Sequence, residues 1–233
     1  MHEPFQLFNL NGGCLSELCD AKFPTAFYAW NQETLKLGAN GTHFGYVAEG
    51  EAFLQTESGN FTLKEKMFFA VPNNLQVTGG KGIIVTRIGY DGMFGIGGAI
   101  ENEGRLRYID GCRDTLLIPP LLKGDPCLNA LYFPPNIMQT PHTHPSVRVG
   151  IVAKGNGECV TPNGKFPLKA GKAFIIAPEA LHSFNTYENE MVVIAYHPDS
   201  DFGATHENHP MVNRTMVAGV SASTIDEIRT RRD

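Results

Sequence analysis

The sequence predicts an all-β protein made of one barrel duplicated in tandem, with a short C-terminal helix. Three observations carry this expectation. Strand-like runs recur along the 233 residues, separated by Gly, Asn or Pro and without helical periodicity. Glycine (25) and proline (15) are frequent enough to punctuate many turns. The two halves also repeat one order of strands and turns at a spacing of roughly 106 residues.

In chain order, the first runs cover 27–30, 44–47, 52–56, 60–63, 67–71 and 82–87. A connector over 91–112, rich in Gly and charge, separates them from runs at 116–118, 128–133, 147–153, 157–161, 173–176 and 191–196. Only the last stretch reads as helical, with Ser223 placed to cap a segment through Ile225, Asp226 and Ile228 to Arg231. The repeat is visible in the turns. Gly155, Asn163-Gly164, Gly171 and Pro178 of the second half follow the order of Gly50, Gly59-Asn60, Lys66 and Pro72 in the first. A chance alignment of turn-rich segments is the alternative. The expected layout is a barrel over 1–100, a second over 112–202, and a loop with a helix over 203–233.

Composition narrows the function classes. Hydrophobic content of 42% with 18% charged residues describes a globular chain with a sizeable core. A net charge of −5 and the lack of a basic patch exclude a nucleic-acid footprint. No run approaches about 20 apolar residues, and Met1-His2-Glu3-Pro4 does not resemble a secretory leader. A cytoplasmic protein without a membrane partner is expected. Five cysteines without CxxC spacing point to reduced thiols and not to a disulfide framework.

Three histidines dominate the chemistry. His142 and His144 flank one residue, so on an extended strand both imidazoles leave the same face. His182 follows 38 residues after His144, a distance that suits a return strand beside the first. Neutral imidazoles facing one cavity make a first-row transition-metal site with open coordination positions.

The block from His142 to Asn185 resembles the two sequence motifs of the cupin superfamily. His142-Thr143-His144 with Gly155 matches the first, and Gly171, Ala177-Pro178-Glu179 and His182 match the second, with Asn185 one place early. Through the repeat, the resemblance extends to most of the chain and implies a bicupin, a duplicated cupin-2-type barrel, that is, two double-stranded β-helix barrels in tandem. It implies metal ligands at His142, His144 and His182 in the C-terminal barrel, but it does not supply the reaction.

Several residues depart from the family pattern. Where the family usually has a fourth ligand, a glutamate, this chain has Arg148, which keeps its proton and cannot ligate a metal. Three histidines alone would then hold the ion, similar to cysteine dioxygenase-like cupins. Fe(II) is favoured, with Zn, Ni, Mn or Cu as alternatives. Arg148 either anchors an anionic substrate or pairs with a carboxylate at the barrel mouth. In the first half, Leu37 and Ala39 fall at the first motif's histidines, His43 at the Arg148 position and Gln76 at the His182 position, so that barrel is expected to bind no metal. Tyr196 and His197 end a strand beside His182, and one of them is expected to face the cavity as an acid–base group unless both lie in solvent. Asn185 is expected to hydrogen-bond a ligand imidazole. The His206–His209 segment reads as a lid, a strap or a second metal site.

The function expected is a mononuclear metalloenzyme, a non-haem Fe(II) dioxygenase acting on a small anionic or phenolic molecule. The alternatives are a non-redox isomerase, lyase or cyclase, and a ligand-binding module without turnover. A homodimer is left open.

Overall fold

The computed structural model describes residues 3–17, 19–200 and 210–227, and it is nearly all-β with one short helix, α1 (Pro210–Arg214). The chain opens with β1 (Phe5–Asn9) and β2 (Gly13–Ser16), followed by β3 (Thr25–Asn31), β4 (Leu35–Leu37) and β5 (Gly41–Glu49). The first half continues with β6 (Ala52–Thr56), β7 (Gly59–Leu63), β8 (Phe68–Pro72), β9 (Leu75–Thr78), β10 (Lys81–Ile88) and β11 (Gly95–Gly97). The second half holds β12 (Leu106–Arg107), β13 (Arg113–Ile118), β14 (Cys127–Phe133) and β15 (Arg148–Thr161). It closes with β16 (Gly164–Lys169), β17 (Lys172–Ile176), β18 (Ser183–Asn185) and β19 (Met191–His197), and a hairpin of β20 (Met216–Val217) and β21 (Val220–Ser221) follows.

In the first half, β11-β8-β5-β10-β3-β2 form one sheet and β4-β9-β6-β7 a second. The second half repeats this arrangement with the two sheets joined. One end of β15 pairs with β17 and β19, and the other end pairs with β16 and β18. The separate runs expected at 147–153 and 157–161 are therefore one strand, bent at Gly155. The duplication is written into the backbone as well as the strand order. Left-handed residues match at Gly50 and Gly155 (φ 74° and 72°), Lys66 and Gly171 (69° and 83°), and Asn73 and Glu179 (64° and 58°).

Gly155 shows why one of these positions is restricted. Besides its positive φ, a Cβ placed there would lie 1.9 Å from the Glu190 carbonyl oxygen. Gly155→Ala is therefore expected to destabilise the protein by about 1–3 kcal/mol, measured as a lower urea midpoint at unchanged m-value.

Strands buried on both faces explain how the halves join. Along β19, Val192, Ile194 and Tyr196 face one core while Met191, Val193 and Ala195 face another. The shared core packs Phe27, Phe44, Tyr46 and Val85 of the first half against Leu128, Val149, Ile151 and Tyr196 of the second. Each half also keeps its own core, around Trp30, Leu54 and Phe69 in the first and around Phe133, Phe174 and Phe184 in the second. One strand crosses over. β1 lies within the segment expected to build the first barrel, yet it pairs with β17, Phe5 opposite Ile176. Its Phe5 ring packs on Phe166 and Phe174, with centroids at 5.0 and 5.9 Å, which draws the strand to the C-terminal sheet.

The helix expected from Ser223 does not form over the described residues. Ala222–Thr224 make a single 3-10 turn, and the cap is Ser221, whose side chain accepts the Ser223 N–H. Thr224 Oγ1 donates back to the Ser221 carbonyl at 2.8 Å. Such short polar side chains compete with helical backbone bonding. Ile228, Arg231, His206 and His209 lie outside the described residues. All five cysteines are free thiols, with Cys112, Cys127 and Cys159 buried. Among the described residues, no helix is long and apolar enough to cross a membrane.

Candidate metal centre

His142 and His144 lie on the extended segment between β14 and β15, and His182 immediately precedes β18. An antiparallel bridge joins the two places: His142 N–H donates to the His182 carbonyl at 2.9 Å and His182 N–H returns the bond at 3.0 Å. The ring centroids of the three histidines are 4.6–5.2 Å apart, and one nitrogen from each lies within 4.8 Å of the others. Two of the rings are oriented by the backbone. Nδ1 of His142 donates to the Thr140 carbonyl and Nδ1 of His182 to the Ala180 carbonyl, both at 2.9 Å. That fixes the proton on Nδ1 and leaves each Nε2 lone pair free, the arrangement of a metal-binding imidazole. Burial, followed by Arg148 and the neighbouring histidines, pushes His144 down to about 3. Burial likewise pushes His182 down to about 4. Both are neutral near pH 7, as ligation requires. The donor set therefore fits one divalent transition metal, and three imidazoles without a carboxylate are compatible with Fe(II), Zn(II) and their neighbours.

The surrounding wall is mostly aromatic and aliphatic. Phe133, Phe174, Phe184 and Val193 line the cavity with the histidines, and about 20 Å³ remains open, close to the space of one water. A larger apolar cavity of about 280 Å³, lined by Phe44, Phe68, Phe94 and Leu117, lies elsewhere and contains no candidate metal ligand.

Arg148 faces the metal cavity, with its side chain only 11% exposed. Its Nη1 donates to Ser146 Oγ at 2.6 Å and to the Val147 carbonyl at 3.0 Å. Its counter-charge is Asp199, at 3.9 Å, and the Ser146 hydroxyl donates to that same carboxylate. Glu179, the acid nearest in sequence to His182, is solvent-exposed.

The two strand-end candidates separate because neighbours on a strand point to opposite faces. His197 lines the cavity with its ring 6.4 Å from that of His144, and burial, then Arg148 and His144, hold it well below the usual histidine range. Tyr196 points the other way. It is fully buried in the core shared by the halves, 5.3 Å from the Phe44 ring, and is not part of the site. Asn185 is also displaced from its expected role. Its Nδ2 donates to Glu158 at 3.2 Å, with no bond to a ligand imidazole.

Three polar residues around the site escaped the sequence reading: Ser146, Asp199 and Gln139. Ser146 continues the alternation of His142 and His144 toward Arg148, and Asp199 stands two residues beyond His197. That period-two spacing was the available signal.

The first half fills the equivalent place with apolar side chains. Leu37 pairs with Leu75 and Lys36 with Gln76, so neither pair offers an imidazole where His142 meets His182 in the second half. Gln76 instead donates to Gln55 at 2.6 Å. His43 is buried and bonded to Thr86 Oγ1 and the Gly38 carbonyl. His43→Gln is expected to leave metal content per chain unchanged by elemental analysis, with a stability loss of about 1 kcal/mol for the altered bonds.

Comparison with known proteins bears on the fold. Residues 125–210 match the model of the AraC-like ligand binding domain family. Among curated proteins, none matches the chain in sequence. A cupin 2 conserved barrel domain protein from Leptotrichia buccalis superposes with a TM-score of 0.56 at 13% identity, covering 84% of this chain and 90% of that one. The fold is of the cupin type. Protein Ylba from E. coli superposes at 18% identity and a TM-score of 0.60, over 86% of this chain and 93% of its own. Salicylate 1,2-dioxygenase from Pseudoaminobacter salicylatoxidans, solved as adducts with gentisate, aligns at 10% identity and a TM-score of 0.59, over 82% and 72%. At these identities the likeness establishes architecture and nothing about activity.

Proposed function

We propose that this chain is a mononuclear metal-dependent bicupin enzyme, a non-haem Fe(II) dioxygenase acting on a small anionic or phenolic substrate. The observation that carries this reading is a single cavity lined by three clustered imidazoles and a buried arginine, with no carboxylate lining it among the described residues. His142, His144 and His182 would hold the ion. When bound, iron supplies open coordination positions and one-electron chemistry. Arg148 holds the anionic end of the substrate, and its tie to Ser146 keeps the guanidinium from swinging out. The aromatic wall excludes water, and His197 stands across from His144 as the candidate for proton transfer. The gentisate-bound dioxygenase neighbour supports a small hydroxylated acid as the substrate type. Five free cysteines agree with a reducing, cytoplasmic setting.

A second reading has its own support. The AraC-like ligand binding model spans His142, His144, Arg148, His182 and His197, which suits a barrel that captures a small molecule without turning it over. Protein reconstituted with Fe(II) and offered a panel of hydroxybenzoates and 2-oxo acids separates the readings. The dioxygenase consumes O₂ in step with one of them. Turnover without O₂ uptake identifies a non-redox enzyme, and binding without turnover identifies the ligand-binding module.

A further inference from the structure

Two residues that line the cavity each carry a buried donor with no partner among the described residues, Gln139 Nε2 and Arg148 Nε. A buried N–H left without an acceptor carries the full desolvation penalty of that group. Two such donors on one cavity call for an acceptor from outside the protein. The cavity lining contains no carboxylate to supply it.

Gln139 is the more informative of the two. Its side chain is 3% exposed, and it stands three residues before His142, beside the Met138–Asn185 bridge. Its Oε1 accepts the Phe184 N–H at 3.0 Å, and its backbone N–H donates to the Phe184 carbonyl at 3.3 Å. The amide orientation follows from those bonds: the oxygen is committed to the backbone and the NH₂ remains for the cavity. With about 20 Å³ of open space, only the narrow end of a ligand can sit there.

We propose that Gln139 is a ligand-binding residue of the metal centre, donating from Nε2 to one oxygen of a terminal carboxylate whose charge Arg148 faces. The inference rests on the metal-centre reading and narrows the substrate class to molecules that present a small carboxylate to the ion. Asp199 stands beside Arg148 Nη1 but is not among the groups lining the cavity, and a neutral thioether would offer the two donors no strong acceptor.

The test uses Co(II)-loaded protein titrated with formate, read by its visible absorption bands, with cobalt content measured in parallel. Two variants separate the roles of the side chain. Gln139→Glu keeps an oxygen for the Phe184 N–H but puts a negative charge where the donor stood. Gln139→Met removes both functions. Wild type and both variants are expected to hold about one cobalt per chain. Formate affinity is expected to fall at least about tenfold in Gln139→Met and further in Gln139→Glu. Equal formate affinity in all three proteins overturns the proposal. So does loss of cobalt in both variants, because Gln139 would then serve the histidines and not the anion. Wild type that takes cobalt but ignores formate overturns the proposal while leaving the metal centre standing. Wild type that takes no cobalt fells the metal reading, and the proposal with it.

Discussion

His144→Ala is expected to reduce bound metal from about one per chain to a small fraction of that, with the β-rich circular dichroism spectrum retained. Each imidazole would contribute one of three bonds to the ion, and among the described residues no carboxylate lines the cavity to substitute. Even groups that merely orient a ligand alter metal affinity by about 10–100-fold, so deletion of a ligand should exceed that range. The loss should also register as stability. Metal present at about 100 times its dissociation constant stabilises the folded state by about 2.7 kcal/mol. For a chain of this size that is a melting shift of about 5–10 °C. A chelator should therefore lower the wild-type melting temperature by that amount and leave His144→Ala unmoved. Unchanged metal content in the variant by elemental analysis would remove the three-histidine site altogether.

Arg148→Lys is expected to weaken binding of an anionic substrate by about 10–150-fold while metal content stays near one per chain. A charge-assisted hydrogen bond of this kind is worth about 1.5–3 kcal/mol. The guanidinium lines the cavity with Nη1 held by Ser146 and the Val147 carbonyl and with Nε left without a partner among the described residues. A lysine ammonium is a single point and cannot hold the strand and a substrate oxygen together. Asp199, 3.9 Å away, would draw it toward the strand. Isothermal titration with the substrate found in the O₂ screen gives the affinity. Equal affinities for the two proteins would mean that Arg148 serves only the fold.

Much of the β framework was legible in the chain. All twelve expected runs lie within or overlap strands, because each is a compact apolar stretch between turn residues. The strands that went unread are mostly short or lie at sheet edges, such as β4, β11, β12 and β18, where two or three residues carry too little pattern to stand out. β1 is longer, but its partner β17 lies over 160 residues away, and no local signal announces such a pairing. The site was legible to the same degree. His142, His144 and Arg148 share a face by simple alternation, whereas Tyr196 and His197 could be told apart only after the strand's register was known.

The sequence by itself determined the all-β class, the internal repeat, the three histidines and the unusual arginine, since each follows from composition, spacing or alternation along one strand. Tertiary structure alone decided that Tyr196 joins the core between the halves, that Asn185 turns to Glu158, that Leu75 and not Gln76 sits opposite Leu37, and that Asp199 reaches Arg148 while Gln139 lines the cavity. The physical reason is common to all four. Which face of a strand meets which core, and which distant side chain reaches a buried donor, depends on strand register and on packing between segments far apart in sequence. A one-residue slip reverses every side chain, and local pattern does not encode it.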